Sequence, residues 1–178
     1  QRARSVVSED HLQGQPRLRL EFHSEHLAEP FRERFDEDVR ITVDSIVQLP
    51  DGTHLQYWTV ADGVPTKVIE AAVEFPTTID ARLLSSVGNT HRIEVHGEPR
   101  SLFSTFGEFD GVTRSAVYDQ RAVDVVADFP AHVDADEVGA AVRDVYPDLH
   151  LVASHEIQTG SVLRPLLREQ LTDRQRGA

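Results

Sequence analysis

The chain is 178 residues long, with 30 acidic and 18 basic residues, a net charge of −12, and no cysteine or methionine. The lack of cysteine excludes disulfides, thiol nucleophiles and thiolate-held zinc, and no apolar run approaches the roughly 18 residues that span a bilayer. Lys67 is the only lysine; such an acidic, arginine-using chain fits a cytoplasmic protein in high salt, where self-repulsion is screened, with an ordinary acidic protein as the other reading.

Residues 1–16 are polar, with Gly14 and Pro16 near their end, and read as a flexible tail or linker. Arg2 and Arg4 precede no apolar segment, so this is not a secretory signal. From Arg17 to His23 the chain alternates strictly: Leu18, Leu20 and Phe22 face one way, and Arg17, Arg19, Glu21 and His23 the other. That is a half-buried strand. Ser24 can cap a helix carrying Leu27, Phe31 and Phe35, with Pro30 in its first turn. A strand follows from Val39 to Val47, then the turn Pro50-Asp51-Gly52, then a strand from His54 to Ala61. Tyr57 and Trp58 are adjacent on it, so one of them faces the core. Val64, Val68, Ala71, Ala72 and Phe75 mark a second helix that ends by Pro76, and Ile79 to Ser86 reads as a strand.

The order then repeats. His91 to His96 alternates as a strand, and Pro99 opens a helix with Leu102, Phe103, Phe106 and Phe109. Val112–Tyr118 and Arg121–Phe129 form a hairpin around Asp119-Gln120. Asp134 and Glu137 are spaced as a capping box ahead of a helix that Pro147 ends, and Leu149 to Glu156 is the eighth strand. The letters also correspond: Arg-Leu-Glu-Phe-His at 19–23 answers Arg-Ile-Glu-Val-His at 92–96. A period of roughly 70 residues predicts an internal duplication. The expected fold is α+β, two tandem ferredoxin-like β-α-β-β-α-β units at 17–88 and 89–158. Residues 159–178 would form an amphipathic connector helix, with Val162, Leu163, Leu166 and Leu167 on its apolar side, and the start of a further domain.

The chemistry-bearing constellation is Glu21 and His23 with Glu94 and His96, each pair at i, i+2 on the polar face of a first strand. If the units packed with twofold symmetry, the four could converge on a metal or an anionic ligand; the same residues also read as solvated positions on open sheet faces. No strained G-x-S-x-G elbow, phosphate loop, dinucleotide fingerprint or H-E-x-x-H pair occurs. Ser101 and Ser104 read as structural, and the chain as non-catalytic, with no cofactor specified. An RNA-recognition face would need exposed aromatics flanked by basic residues; the first strands offer Arg, Glu and His instead.

Four segments carry a family likeness: Leu20-Glu21-Phe22, Val39 to Gly52 with its Leu49-Pro50-Asp51-Gly52 turn, Tyr146-Pro147-Asp148, and Leu171-Thr172-Asp173-Arg174-Gln175-Arg176. In this order, over residues 17–176, the chain resembles the regulatory region of haloarchaeal bacterio-opsin-activator-like transcription regulators, ending where their helix-turn-helix domain starts. The resemblance implies a sensing or dimerising role in transcription regulation. It implies DNA contact only through a domain beyond Arg176, and it leaves room for a homodimer and a small-molecule effector. The second reading is a freestanding small-molecule- or metal-binding module using the interface between the two units.

Overall fold

The computed structural model describes residues 16–158. The expected start of the helix-turn-helix, Leu171 to Arg176, and the connector helix lie outside these residues.

Eight strands form a single antiparallel sheet. They are β1 (Arg17–Ser24), β2 (Arg40–Gln48), β3 (His54–Ala61), β4 (Thr78–Val87), β5 (Thr90–Gly97), β6 (Val112–Asp119), β7 (Val123–Pro130) and β8 (His150–Ile157). Four helices join them: α1 (Glu29–Arg34), α2 (Pro65–Ala72), α3 (Leu102–Glu108) and α4 (Ala135–Val145). A short 3-10 turn, His26–Ala28, leads into α1. Local chemistry sets these elements. Pro65 opens α2, where its missing N–H costs nothing. Ser101 caps α3 in a reciprocal capping box with Ser104, which gives both serines a structural role. Asp134 caps α4 by accepting from the Asp136 and Glu137 amides.

The order of elements along the chain is the expected one, but the strand pairing overturns the expected fold. The sheet runs β4-β5-β3-β2-β6-β7-β1-β8, so there are no two tandem ferredoxin-like units. The turn at Gly88-Asn89, with Gly88 at φ +58°, binds β4 and β5 into a hairpin. So short a link leaves β5 no freedom to seek another edge. β5 then also pairs with β3, while β1 crosses to lie between β7 and β8. β1 and β5, the expected first strands of the two units, thus each sit among strands from the other half of the chain.

The two halves of the sheet, β4-β5-β3-β2 and β6-β7-β1-β8, meet through only three residue pairs: Arg40 with Asp119, Ile41 with Tyr118, and Thr42 with Val117. Gln120 reinforces this seam. Its side-chain oxygen accepts from the Val39 amide at 2.7 Å, its side-chain nitrogen donates to the Glu37 carbonyl, and its own carbonyl accepts from Arg32.

The helices cover one face and pack chiefly as two pairs, α1 on α2 and α3 on α4. A single core lies beneath them, including Leu20, Phe22, Phe31, Ile41, Trp58, Ile93, Phe106 and Phe129, all essentially fully buried. Burial of such apolar surface is the main stabilising term. Among the described residues, no helix covers the opposite face of the sheet.

Candidate functional site

Strand β3 turns unusual residues inward. His54, Gln56, Trp58 and Val60 are buried, whereas Leu55, Tyr57 and Thr59 are only partly so. The three polar side chains satisfy one another. Trp58 Nε1 donates to Gln56 Oε1 at 3.0 Å, and Gln56 Nε2 lies 3.1 Å from His54 Nε2. Indole N–H can only donate, so the Gln56 oxygen faces Trp58 and its amide nitrogen faces His54. His54 Nε2 therefore accepts, and the ring is neutral. Burial lowers the His54 pKa, opposed by the Glu98 backbone and aided by nearby His96. Gly97 of β5 is needed here: a Cβ would sit 2.4 Å from the His54 ring.

This ladder ends at a cleft between the two helix pairs, at mid-sheet. The cleft is small, with room of about 40 Å³ for the centres of water-sized molecules. Its lining is Leu27, Gln56, Trp58, Phe75, Thr77, Thr78, Leu102, Phe103, Tyr118, Val123, Tyr146 and Leu149. Both halves contribute, and the corresponding Phe75-Pro76 and Tyr146-Pro147 each supply an aromatic ring. Trp58, Phe75 and Tyr118 touch edge to face or tilted, with centroids 5.3 to 6.3 Å apart. The Thr77 and Tyr146 hydroxyls are hydrogen-bonded across the gap. Burial, helped by neighbouring Tyr146, pushes the Tyr118 phenol far above its ordinary value, and burial raises Tyr146 too. Both phenols are neutral.

The open face holds the four residues singled out from the sequence, but it keeps the two pairs apart. β1 and β5 are five strands from each other, roughly 24 Å at the usual inter-strand spacing. Each residue has its own local partner. Glu21 takes His155 Nε2 at 2.8 Å, and His23 Nδ1 lies 2.6 Å from Asp124. Glu94 accepts from Arg82 at 2.9 Å, and His96 Nε2 lies 2.9 Å from Thr53 Oγ1. Among the described residues no three His, Asp or Glu side chains come together to hold a metal.

The strongest electrostatic feature of that face is Asp128, fully buried on β7 under arginines. Arg19 donates to both carboxylate oxygens at 2.7 and 2.9 Å, and Arg114 to Oδ2 at 2.7 Å. Burial alone would raise the Asp128 pKa; the two guanidinium groups outweigh it and hold the carboxyl below its ordinary value.

A protein-family model described as the BAT, GAF and HTH_10 associated domain matches residues 17–162. The chain belongs to the BAT family. This agrees with the likeness seen in the sequence, and it makes the sheet and helices a regulator-associated domain. No curated protein matches the chain. Among the described residues of this BAT domain, no helix is long and apolar enough to cross a membrane.

Sequence reasoning passed over the cleft. In the sequence His54 reads only as the first residue of a strand, and Gln56 belongs to no motif. The available signal was the alternation His54-Gln56-Trp58-Val60: the face holding the single tryptophan also holds two polar residues, which must be satisfied if Trp58 is core.

Proposed function

We propose that this BAT domain is the non-catalytic regulatory module of a helix-turn-helix transcription regulator, working in a salt-rich archaeal cytoplasm. It acts by setting the position and accessibility of a DNA-binding domain that follows it in the chain. The observation that carries this reading is the family match over residues 17–162, a domain defined by its association with HTH_10 and GAF regions. The acidic, single-lysine composition supports the high-salt setting. DNA contact then belongs to the other domain, in keeping with a net charge of −12 that opposes phosphate binding here.

The geometry suggests how a signal could be relayed. The two halves of the sheet meet in backbone pairing at three residue pairs reinforced by Gln120, a narrow seam above a core that runs beneath both. A ligand or partner that changes the spacing of the helix pairs changes the angle at that seam. Coupling between sites would require two arrangements of this seam. The test is an intact regulator carrying Gln120→Ala, assayed for promoter binding and for the regulated response, with folding checked by circular dichroism. Retained folding and promoter binding with an altered response supports the mechanism. A folded variant with an unaltered response refutes the seam.

A further inference from the structure

We propose that edge strand β4 pairs antiparallel with β4 of a second copy of this chain, about a twofold axis at Ala81, so that the two sheets continue as one. The pairing stands independently of the regulatory reading.

β4 ends the sheet: β5 lies on one side of it and, among the described residues, no strand lies on the other. An open edge presents unpaired amides and carbonyls, and most edge strands are kept short, charged or proline-bearing to discourage another chain. β4 is ten residues long, and its second half, Leu83-Leu84-Ser85-Ser86-Val87, carries no charge. Ile79, Leu83, Leu84 and Val87 are exposed, four of the nine exposed large apolar side chains among the described residues. The other edge strand, β8, bears His150, His155 and Glu156 and one such side chain, Val152.

The charges of β4 select the occupant and the register. Asp80 lies beside His96 and Arg82 beside Glu94, so both face the open side; Ala81 and Leu83 lie beside the core residues Val95 and Ile93. The ladder is regular from Asp80 to Leu83, with irregularities only beyond each end of that run. A twofold axis perpendicular to the sheet keeps like faces together, so each residue meets one of the same face. An axis through Asp80 would set carboxylate against carboxylate, and one through Arg82 guanidinium against guanidinium, both unfavourable. An axis through Ala81 sets Asp80 opposite the partner's Arg82 and, on the other face, Leu83 opposite the partner's Ile79. Arg82 already donates to Glu94 at 2.9 Å, yet its side chain is 70% exposed. Its remaining N–H groups are free for a second carboxylate. A chain of the same sequence is thus complementary to this edge in both charge and apolar contact.

The test is sedimentation equilibrium of the full chain in molar potassium chloride, where repulsion between two copies of net charge −12 is screened. The mass should rise with concentration from 19.9 kDa towards twice that value. Asp80→Arg puts a cation opposite the partner's Arg82 at both symmetric positions and should weaken association at least about tenfold. Arg82→Asp does the same with acids. A mixture of the two folded variants should associate although neither does alone. Should Arg82→Asp fail to fold beside Glu94, Asp80→Arg and a cross-link still decide. Because the chain has no cysteine, Ala81→Cys introduces a single thiol. At the axis the two Cα atoms would be about 4.5–5.5 Å apart, within disulfide reach. Val87→Cys is the control: Val87 is 80% exposed, but in this register the two copies lie about 40 Å apart. We expect mild oxidation to cross-link Ala81→Cys at least about tenfold faster than Val87→Cys. A chain that stays monomeric at high concentration overturns the proposal. So does association unaltered by Asp80→Arg, or cross-linking of Val87→Cys as fast as that of Ala81→Cys.

Discussion

The Tyr146 and Thr77 hydroxyls are hydrogen-bonded to each other across the gap between the two helix pairs. Thr77 follows α2 and Tyr146 follows α4, so this one bond ties the two pairs at the wall of the cleft. Removing either hydroxyl leaves the other half-buried and unpaired. Thr77→Val or Tyr146→Phe should each cost about 1 kcal/mol, read by urea denaturation. The double variant should cost less than the sum of the two, which a double-mutant cycle measures.

Asp128 gives the domain an acid-sensitive point. Its folded pKa lies below the ordinary carboxylate value because Arg19 and Arg114 hold its charged form. A depressed carboxylate contributes stability that is complete above the unfolded pKa, about 4. That contribution is lost as pH falls from there through the folded value. Asp128→Asn should lower stability at neutral pH by about 2 kcal/mol, since the arginines are part-exposed and can rehydrate. It should also flatten the acid limb of stability against pH. An acid limb unaltered by Asp128→Asn would mean that other carboxylates set it.

His54 acts in a higher window. Burial lowers its folded pKa, so the unfolded chain takes up a proton that the native ring refuses. Stability should begin to fall as pH drops below about 6.5 and continue to fall down to the folded value. His54→Gln should remove that slope. The neighbouring glycine gives a steric counterpart. Gly97→Ala puts a Cβ against the ring and should destabilise by about 1–3 kcal/mol. His54→Ala in the same chain should recover part of that loss, because it removes the clash.

The elements of this fold were legible because strand and helix periods are local properties. The alternation Leu18-Leu20-Phe22 and the caps at Ser101 and Asp134 can be read without knowing the fold. Strand partnership was not legible. The likeness of 19–23 to 92–96 suggested that β1 and β5 play equivalent parts, and it is silent on which half each one joins. That choice was made by the Gly88-Asn89 turn, which holds β5 against β4. The same exchange separates Glu21 and His23 from Glu94 and His96. Those four residues are half-buried on the face away from the helices, and their expected meeting depended on the pairing of whole strands.

Charge supplies a further expectation. With 30 acidic residues against 18 basic, the folded chain repels itself wherever salt does not screen it. The melting temperature should rise steadily from dilute buffer to molar potassium chloride. A melting temperature that falls on adding salt would mean that surface ion pairs such as Arg82–Glu94 outweigh that repulsion.

The most direct test of the regulatory reading uses the intact regulator with residues 17–158 replaced by an unrelated dimerising domain. Promoter occupancy and transcript output are then compared with those of the natural protein across inducing and non-inducing growth. The account predicts that occupancy survives the exchange while the difference between the two growth conditions disappears. A transcript response that stays intact after the exchange would contradict it.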